Sequence, residues 1–207
     1  MNIENNKTKK SSYHHGDLRQ QLLNEAVLLI REEGLAGLSM RKLAINAGVS
    51  RTAAYHHFKD KDDLLSAIAA EGFERFQKLH RDAVDRGLDL ASREGAMEFN
   101  RAYVKFATEN PEYYDLMFGG QIWKSASLTE SLKKVSFATF RDSVVMVKEL
   151  QDRGAIRSDL DPLRFAQVRW STMHGMSRLM IDGIYIDSSA VDAMCETAVD
   201  MMLAYIH

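Results

Sequence analysis

Residues 39–58 read SMRKLAINAGVSRTAAYHHF, and this stretch decides the predicted fold of the N-terminal part of the chain. Ser39 and Ser50 each precede a short helix-forming run, and serine is a favoured N-cap because its hydroxyl accepts a hydrogen bond from the first helical turn. Gly48 separates the two runs and can adopt the positive φ that a tight turn often needs. The pattern predicts two short helices joined by a turn, the layout in which a second helix enters the major groove of DNA.

The exposed side of the second predicted helix carries residue types that suit DNA. Arg51, Thr52, Tyr55 and His56 lie on it, and Arg41 of the first helix projects towards the same side. Arginine can pair at two points with a guanine edge, whereas hydroxyl groups and lysines suit phosphates. The same spacing also fits an ordinary helical hairpin packed on a core, and spacing alone leaves both interpretations open.

The flanking residues predict further helices. Apolar residues recur at helical spacing between Leu18 and Ile30, where Asp17 can start a helix and Gly34 can end it. Asp60, followed by an acidic first turn, predicts the start of another helix that runs from Lys61 towards Leu79. Residues 13–60 are therefore expected to form a three-helix domain of the helix-turn-helix type, and the choice between a DNA-binding domain and a plain helical hairpin is still open at this point.

The rest of the chain, 61–207, also predicts helices only. Asn110 and Asp161 each precede a proline, which is the arrangement of a helix cap followed by the first helical residue. Ser127 and Glu130 form a capping-box pattern that opens a long helix ending near Gly154. Two final helices are expected over 162–182 and 189–205. Without an alternating strand pattern, the sequence predicts an all-α fold of about nine helices.

Composition excludes several classes of protein. The 207 residues include a single cysteine, Cys195, which excludes an intramolecular disulfide framework and fits a cytoplasmic protein. No apolar run reaches the roughly 18 residues of a membrane span, so no membrane partner is expected. Residues 1–12 are polar and contain Lys7, Lys9 and Lys10, which predicts a flexible basic arm and not a secretory signal.

Charge is distributed unevenly along the chain. Residues 1–61 contain 10 Lys and Arg against 6 Asp and Glu, a net charge of +4, and the remainder carries −6. A basic first third on an acidic body suggests that one end of the molecule meets a polyanion. The acidic body and low overall charge argue against a protein that packages DNA.

The segment 13–73 resembles the DNA-binding domain of TetR/AcrR-family transcriptional regulators. The resemblance rests on AYHHFKDKDDLL at 54–65, on LSMRKLA at 38–44 and on AGVS at 47–50. It implies that Ser39 and Tyr55 hold phosphates, that Arg41 reaches a base edge or a phosphate, that Arg51 and Thr52 read bases, and that Lys59 and Lys61 bind phosphate at a helix N-terminus. His57 matches a family histidine near the backbone contacts, or it is a structural residue of the turn. The arm lysines follow DNA or form a solvated tail.

The C-terminal part carries a second, shorter resemblance. WSTMHG at 170–175 resembles the Trp-x-x-x-His-Gly signature of one class of TetR-family C-terminal domains, and NPEYYDLMF at 110–118 fits the same class. The resemblance implies that 61–207 binds an effector and dimerises through the last two helices, with Gly175 allowing close approach. The candidate ligand-binding residues are Phe99, Tyr103, Phe106, Tyr114, Met117, Phe118, Trp123, Phe137, Phe140, Trp170 and His174. The same side chains could instead be plain core, and both interpretations stay open.

Together these features predict a repressor that binds a palindromic double-stranded DNA operator as a homodimer and is released by a small hydrophobic or aromatic effector. The alternative is a DNA-binding regulator that a protein partner controls, or that has no effector. An enzyme is not expected, because the sequence contains no Gly-rich phosphate loop, His-Glu-x-x-His helix, Cys-x-x-Cys pair or Gly-x-Ser-x-Gly elbow. We therefore predict no catalytic residue, cofactor or metal site.

Overall fold

The computed structural model describes residues 18–124, 128–185 and 187–203. Within these ranges the chain forms ten α-helices and one short 3₁₀ helix, without any strand, so the predicted all-α fold of about nine helices is confirmed. The chain divides into two compact units between Leu64 and Leu65. The predictions for the arm 1–12, for Asp17 and for Ser127 lie outside the described residues.

The first unit contains three helices and the start of a fourth. They are α1 (Leu18–Gly37), α2 (Met40–Asn46), α3 (Arg51–His57) and the beginning of α4 (Lys61–Asp85). The regular part of α1 ends near Gly34 as predicted, because Gly34 has φ +71° and ψ 174°, and a short helical turn follows it. The apolar core of this unit comes from Leu22, Leu23, Ala26, Leu29, Leu43, Ala44, Ala54 and Phe58.

Serine side chains begin both short helices, as the sequence predicts. Ser39 Oγ accepts a hydrogen bond from the Lys42 amide at 3.2 Å, and Ser50 Oγ accepts one from the Ala53 amide at 3.1 Å. Each bond satisfies an amide that has no partner within its own helix. These caps fix where α2 and α3 start, and therefore which side chains α3 exposes.

The turn between α2 and α3 depends on Gly48. Its φ is +67°, in the left-handed region where a Cβ atom is unfavourable. The Gly48 amide donates to the Ile45 carbonyl at 3.1 Å, and the Val49 amide donates to the Ala44 carbonyl at 2.9 Å. This pair of bonds is the Schellman arrangement that ends a helix. The chain can then reverse direction and pack α3 against α2.

Two aspartates fix the start of α4. The Asp63 amide donates to Asp60 Oδ1 at 2.9 Å, and the Lys59 amide donates to Asp63 Oδ2 at 2.9 Å. The predicted cap at Asp60 is confirmed, and the second bond ties the chain entering the helix to its first turn. Helix α4 ends at Asp85, beyond the Leu79 that periodicity predicted.

The second unit is built from the remaining helices. They are the rest of α4, α5 (Arg93–Glu109), α6 (Pro111–Phe118), α7 (Gly120–Trp123), α8 (Glu130–Asp152), α9 (Pro162–Ile181), the 3₁₀ helix (Ser188–Ala190) and α10 (Val191–Leu203). Helix α5 packs against α9 and α10, and α8 packs against α9. None of the helices in the described ranges has the length and apolar character needed to cross a lipid bilayer.

Two predicted helix starts in this unit need correction, and a third helix, α6, starts at Pro111 as predicted but without the expected side-chain cap. Helix α8 begins at Glu130 with Thr129 as its cap, since Thr129 Oγ1 accepts from the Leu132 amide at 3.3 Å. Asn110 precedes α6, but its Nδ2 donates to the Phe106 carbonyl at 2.9 Å, so its side chain closes α5 and does not cap α6. The last α-helix starts at Val191, because 188–190 form the 3₁₀ turn.

The predicted cap at Asp161 is confirmed. Asp161 Oδ1 accepts from the Leu163 amide at 2.8 Å and from the Arg164 amide at 3.3 Å. Pro162 follows as the first helical residue, where its missing amide costs nothing. The start of α9 is thereby set, and with it the face on which Trp170 and His174 lie.

Candidate DNA-binding surface and ligand site

Helix α3 exposes the side chains that the sequence assigned to DNA. Ala54 is fully buried, and its small side chain lets α3 pack closely against α2. Arg51, Thr52 and Tyr55 are exposed on α3. The structure therefore presents the predicted base-reading residues on one accessible helix face.

Arg51 and Tyr55 lie next to each other on this face. The Arg51 guanidinium carbon is 6.0 Å from the centre of the Tyr55 ring, and Tyr55 is 43% exposed. They are four residues apart, which is one helical turn. A guanidinium with several donors beside a phenolic hydroxyl suits contacts with base edges and phosphates.

The other residues predicted to contact phosphate differ in exposure and in the hydrogen bonds that they already make. Ser39, Arg41 and Lys59 are exposed. The Ser39 hydroxyl accepts a hydrogen bond as the α2 cap, but it can still donate one to a phosphate. Lys61 is half-buried, and its Nζ donates to the Leu35 carbonyl at 2.7 Å. Lys61 therefore ties α4 to the end of α1, with two further N–H donors left for DNA.

His57 has surroundings that fit a structural role in the turn as well as a DNA contact. It is half-buried and precedes the buried Phe58. The Arg19 guanidinium carbon lies 5.2 Å from the Phe58 ring centre, so this end of α3 is held against α1. The role of His57 is still a prediction with two interpretations. The DNA roles of the other individual residues also stay predictions.

The second unit has an open groove of about 600 Å³. It holds six of the predicted ligand-binding residues: Met117, Phe118, Trp123, Phe137, Phe140 and Trp170. Phe73, Ser136, Gln167 and Ser171 complete the lining. The groove is thus mostly apolar with a few polar groups at its wall, which is the usual composition of a small-molecule site.

Trp170 is the centre of an aromatic cluster beside this groove. Its ring centre lies 5.7 Å from that of Phe76, 6.2 Å from that of Phe118 and 5.6 Å from that of Phe140. The Trp123 indole N–H donates to the Met117 carbonyl at 2.7 Å. Trp170 therefore belongs both to the core and to a groove wall.

The buried Tyr103 and Tyr114 and the half-buried His174 form a chain of hydrogen bonds. The two tyrosine hydroxyls are 3.1 Å apart, and the Tyr114 hydroxyl is 2.9 Å from His174 Nδ1. Burial raises the pKa of Tyr103 well above 10 and that of Tyr114 to about 12. Burial, assisted by the positive charge of Arg178, lowers the pKa of His174 below 6.5. A neutral His174 can then accept from Tyr114, which in turn accepts from Tyr103.

Phe99 and Phe106 are not part of the groove around Trp170. They border a separate surface groove of about 620 Å³ between α4 and α5. Phe137 lines the Trp170 groove but is 70% exposed, so it lies at the rim and not in the core. The predicted ligand residues therefore divide among two grooves and a buried polar chain.

Three interior polar residues were missed by sequence reasoning. His80 Nε2, both amide atoms of Asn100 and Arg169 Nε are buried without a hydrogen-bond partner among the described residues. Asn100 is fully buried on α5. For Arg169 a signal was available, because it interrupts an apolar stripe between Ala166 and Met173 at helical spacing.

Gly175 has space for a side chain among the described residues. A Cβ atom built there would meet no heavy atom within 4 Å. The close helix approach predicted at Gly175 is therefore not made by another described helix of the same chain. A contact with a second copy stays a prediction.

Comparison with known families assigns both parts of the chain. Residues 22–68 match the model described as bacterial regulatory proteins, tetR family. Residues 96–202 match the model described as tetracyclin repressor-like, C-terminal domain. The second match alone covers more than half of the chain.

Individual relatives agree with this assignment. Tetracycline repressor protein class D from Escherichia coli is 33% identical over 88 residues, so the match spans 42% of this chain and only 40% of that repressor. The HTH-type transcriptional repressor AcnR from Corynebacterium glutamicum is 28% identical over 190 residues, 86% of this chain and 85% of its own. A solved structure from Rhodococcus sp. RHA1, of unknown function, is 33% identical with a TM-score of 0.80, covering 94% of this chain and 98% of that one.

Proposed function

This chain belongs to the tetR family of bacterial regulatory proteins and is a DNA-binding transcriptional regulator, and we propose that it represses transcription by binding a palindromic operator as a homodimer. The observation that carries the proposal is the exposed face of α3 with Arg51, Thr52 and Tyr55. Repression is favoured because AcnR and the tetracycline repressor are both described as repressors. The proposal includes a cytoplasmic location, where the operator DNA is, and a regulatory and not a catalytic role.

The proposed dimer forms through α9 and α10. Val168 is 68% exposed and Leu163 is 38% exposed on α9, and Met201 is 64% exposed on α10. Large apolar side chains at this exposure are stabilised when a second surface covers them. A second copy is the proposed occupant, because a two-fold dimer presents two recognition helices to two half-sites, about 34–36 Å or somewhat more apart.

The proposed effector is a small apolar or aromatic molecule in the groove around Trp170. The volume of about 600 Å³ lies within the usual range for ligand sites. Helix α4 supports a coupling to DNA, because it begins at Lys61 and also carries Phe73 of the groove lining. A tenfold loss of operator affinity requires only about 1.4 kcal/mol of coupling free energy.

Selection of bound sequences from random DNA tests the proposed operator. We expect an inverted-repeat consensus, since a symmetric dimer reads both half-sites in the same way. A consensus without inverted symmetry contradicts the dimeric binding mode, and enrichment without any consensus contradicts an operator-specific repressor.

Titration of hydrophobic compounds tests the effector. Binding to the protein alone is followed by the melting temperature, since a ligand of the folded state must stabilise it. Release is followed by the affinity for the selected operator. Compounds that bind the protein but leave operator affinity unchanged contradict induction, since equal affinity for both forms shifts nothing.

A further inference from the structure

A small cavity of about 120 Å³ lies between α4, α5 and α8 in the second unit. Part of its wall is apolar and buried, and consists of Phe76, Phe99 and Met146. Arg81 and Asp142 also line the cavity, and both are exposed, so they mark its outer end. The other lining residues are Gln77, His80, Thr139 and Ser143. The cavity is therefore apolar at its inner end and polar towards solvent.

This cavity is separate from the surfaces already assigned a role. Its described lining residues belong to α4, α5 and α8, whereas the proposed dimer surface lies on α9 and α10. It shares no lining residue with the groove around Trp170. Phe76 stands beside both, because it lines the cavity and its ring centre lies 5.7 Å from that of Trp170. A molecule in the cavity would therefore leave the effector groove and the dimer surface free.

His80 contributes a buried polar atom that has no hydrogen-bond partner among the described residues, its Nε2. The imidazole packs edge-to-face against Phe99, with ring centres 6.0 Å apart. Burial lowers the pKa of His80 below 6.5, so the ring is neutral at neutral pH. A neutral imidazole nitrogen donates or accepts one hydrogen bond, and leaving it unpaired in the interior is costly. A group bound in the cavity can supply the missing bond.

Two other polar side chains of the wall already have partners. Thr139 Oγ1 donates to the Val135 carbonyl at 2.7 Å. Gln77 Nε2 donates to Asp142 Oδ2 at 3.4 Å, across the cavity from α4 to α8. These bonds hold the wall in place, and neither of them satisfies His80.

The charged groups around His80 oppose one another. Glu149 and Asp142 act to raise the pKa of His80. Arg169 and Arg81 act to lower it. With two carboxylates against two guanidinium groups, the surroundings select neither a cation nor an anion. The group that pairs with the imidazole is therefore expected to be uncharged.

The size of the cavity fits one small molecule with an apolar body. Its volume is below the 300–1,000 Å³ or so of sites for drug-sized ligands, and close to the roughly 150 Å³ of a cavity that holds benzene. A buried water needs about two to four polar partners, which the inner wall of Phe76, Phe99 and Met146 does not offer. An aromatic ring suits that wall, because aromatic side chains pack well against other rings.

We propose that this cavity binds a small uncharged aromatic molecule with a hydroxyl group, its ring against Phe76, Phe99 and Met146 and its hydroxyl hydrogen-bonded to His80 Nε2. A hydroxyl suits either tautomer of the imidazole, because it can donate or accept. The site is additional to the effector groove and does not depend on it. Because the molecule contacts α4, α5 and α8 together, its binding stabilises the folded second unit.

The experiment uses the full chain and two pairs of probes. Phenol and toluene have nearly the same shape and differ in the hydroxyl, and benzyl alcohol and benzylammonium differ in charge. Calorimetry measures binding, and nitrogen-15 NMR follows the His80 imidazole, whose signal is the one that His80→Leu lacks. His80→Leu removes Nε2 at a similar volume. Ser143→Phe fills the cavity, and its matched control Ser171→Phe fills the Trp170 groove instead.

We expect the unmodified chain to bind phenol about 3- to 10-fold more tightly than toluene, as one net hydrogen bond provides. Benzyl alcohol should bind more tightly than benzylammonium, and phenol should shift the His80 Nε2 signal. His80→Leu should still bind toluene but lose the preference for phenol. Ser143→Phe should lose this preference too, whereas Ser171→Phe should keep it.

Three results would overturn the proposal. The first is equal binding of phenol and toluene, or no binding of phenol, by the unmodified chain, a comparison that depends on no variant. The second is a preference for phenol that persists in Ser143→Phe and disappears in Ser171→Phe, which assigns phenol to the effector groove and leaves that groove's proposed role intact. The third is benzylammonium binding as tightly as benzyl alcohol or more tightly, which contradicts an uncharged ligand.

Discussion

The Tyr114 hydroxyl lies 2.9 Å from Nδ1 of His174, and the two rings stack with centres 5.5 Å apart and planes 21° apart. This contact joins α6 to α9. The proton position and the direction of this bond are linked: Nδ1 without a proton accepts from the Tyr114 hydroxyl, and Nδ1 with a proton donates to it. Since Tyr103 continues the chain of hydrogen bonds, three helices share one polar connection inside an apolar unit.

Tyr114→Phe should destabilise the second unit. Removing the hydroxyl leaves Tyr103 and His174 without this partner in a buried setting, which costs about 1–3 kcal/mol. Tyr185 is 44% exposed, so Tyr185→Phe is the matched control and should change stability by less than about 0.5 kcal/mol. Thermal or denaturant unfolding measures both. An equal effect of the two substitutions would show that the buried chain of hydrogen bonds contributes nothing.

Stability should fall as the pH is lowered through the range in which histidine titrates. The folded-state pKa of His174 lies below 6.5, chiefly because of burial, and His80 is shifted in the same direction by burial. As the pH falls, the histidines of the unfolded chain therefore bind protons before those of the folded chain. The contribution of the neutral histidines to the free energy of unfolding is fully present above about pH 6.5 and is lost as the pH falls towards the folded-state pKa. Melting temperatures between about pH 5.5 and 7.5 measure this slope.

His174→Asn should reduce that pH slope while lowering the melting temperature overall. His56 is exposed on α3, and His56→Asn serves as the control for replacing a histidine at an exposed position. A slope unchanged in His174→Asn would assign the pH dependence to other groups.

Arg51→Ala should relax base preference, whereas Lys59→Ala should weaken binding evenly on all sequences. Arg51 lies on the exposed face of α3 and Lys59 at the start of α4. A lost base contact costs about 1–3 kcal/mol at one position, and a lost phosphate contact reduces the salt slope by about 1. Titration of matched and mismatched operators at several salt concentrations measures both. The role assignments fail if the two variants lose affinity equally on every sequence.

Gly95→Ala and Gly175→Ala should have opposite effects on stability. A Cβ at Gly95 would lie 2.0 Å from the Asp89 carbonyl oxygen, so the loop before α5 must shift, at a cost of about 1–3 kcal/mol or more. A Cβ at Gly175 meets nothing within 4 Å, and alanine there favours the helix by about 0.5–1 kcal/mol. Denaturant unfolding compares them. Destabilisation by Gly175→Ala that depends on protein concentration would point instead to a contact with a second copy.

Val168→Asp should weaken the proposed dimer. Burying an aspartate where a second copy covers Val168 leaves an unpaired charge, so sedimentation should show a lower mass and operator affinity should fall. Val145 is also exposed, on α8, and Val145→Asp is the control. A Val168→Asp protein that stays dimeric removes this residue from the interface.

Local sequence signals predicted most of the helix starts, and the differences at the other starts also come from local bonds. Ser39, Ser50 and Asp161 cap helices as expected, because a capping bond needs only neighbouring residues of the chain. Asn110 has equally local alternatives, and its side chain bonds backwards to the Phe106 carbonyl. Composition and spacing do not decide between two local bonds of similar strength.

The candidate ligand site was harder to predict than the DNA-binding surface. Helical periodicity places Phe137 and Phe140 on one face of α8, yet Phe137 is 70% exposed and lies at the groove rim. Phe140 contacts Trp170 of α9, with ring centres 5.6 Å apart, and such a contact depends on a distant segment of the chain. For Arg169 the spacing on α9 marks an inward position, but its contact with Phe99 of α5 depends on another helix.

The paired aspartates at the start of α4 have a consequence for how the regulator finds its operator. The Asp63 carboxylate already accepts a hydrogen bond from the Lys59 amide, so this amide is not free for a phosphate. Asp60 and Asp62 add negative charge at the same helix end, where the flanking lysines would contact the DNA backbone. Like charges at this helix end weaken attraction to any duplex, whatever its sequence. A chromosome offers millions of wrong sites, so weak generic attraction shortens the time spent on each and leaves more of the protein free for the correct one.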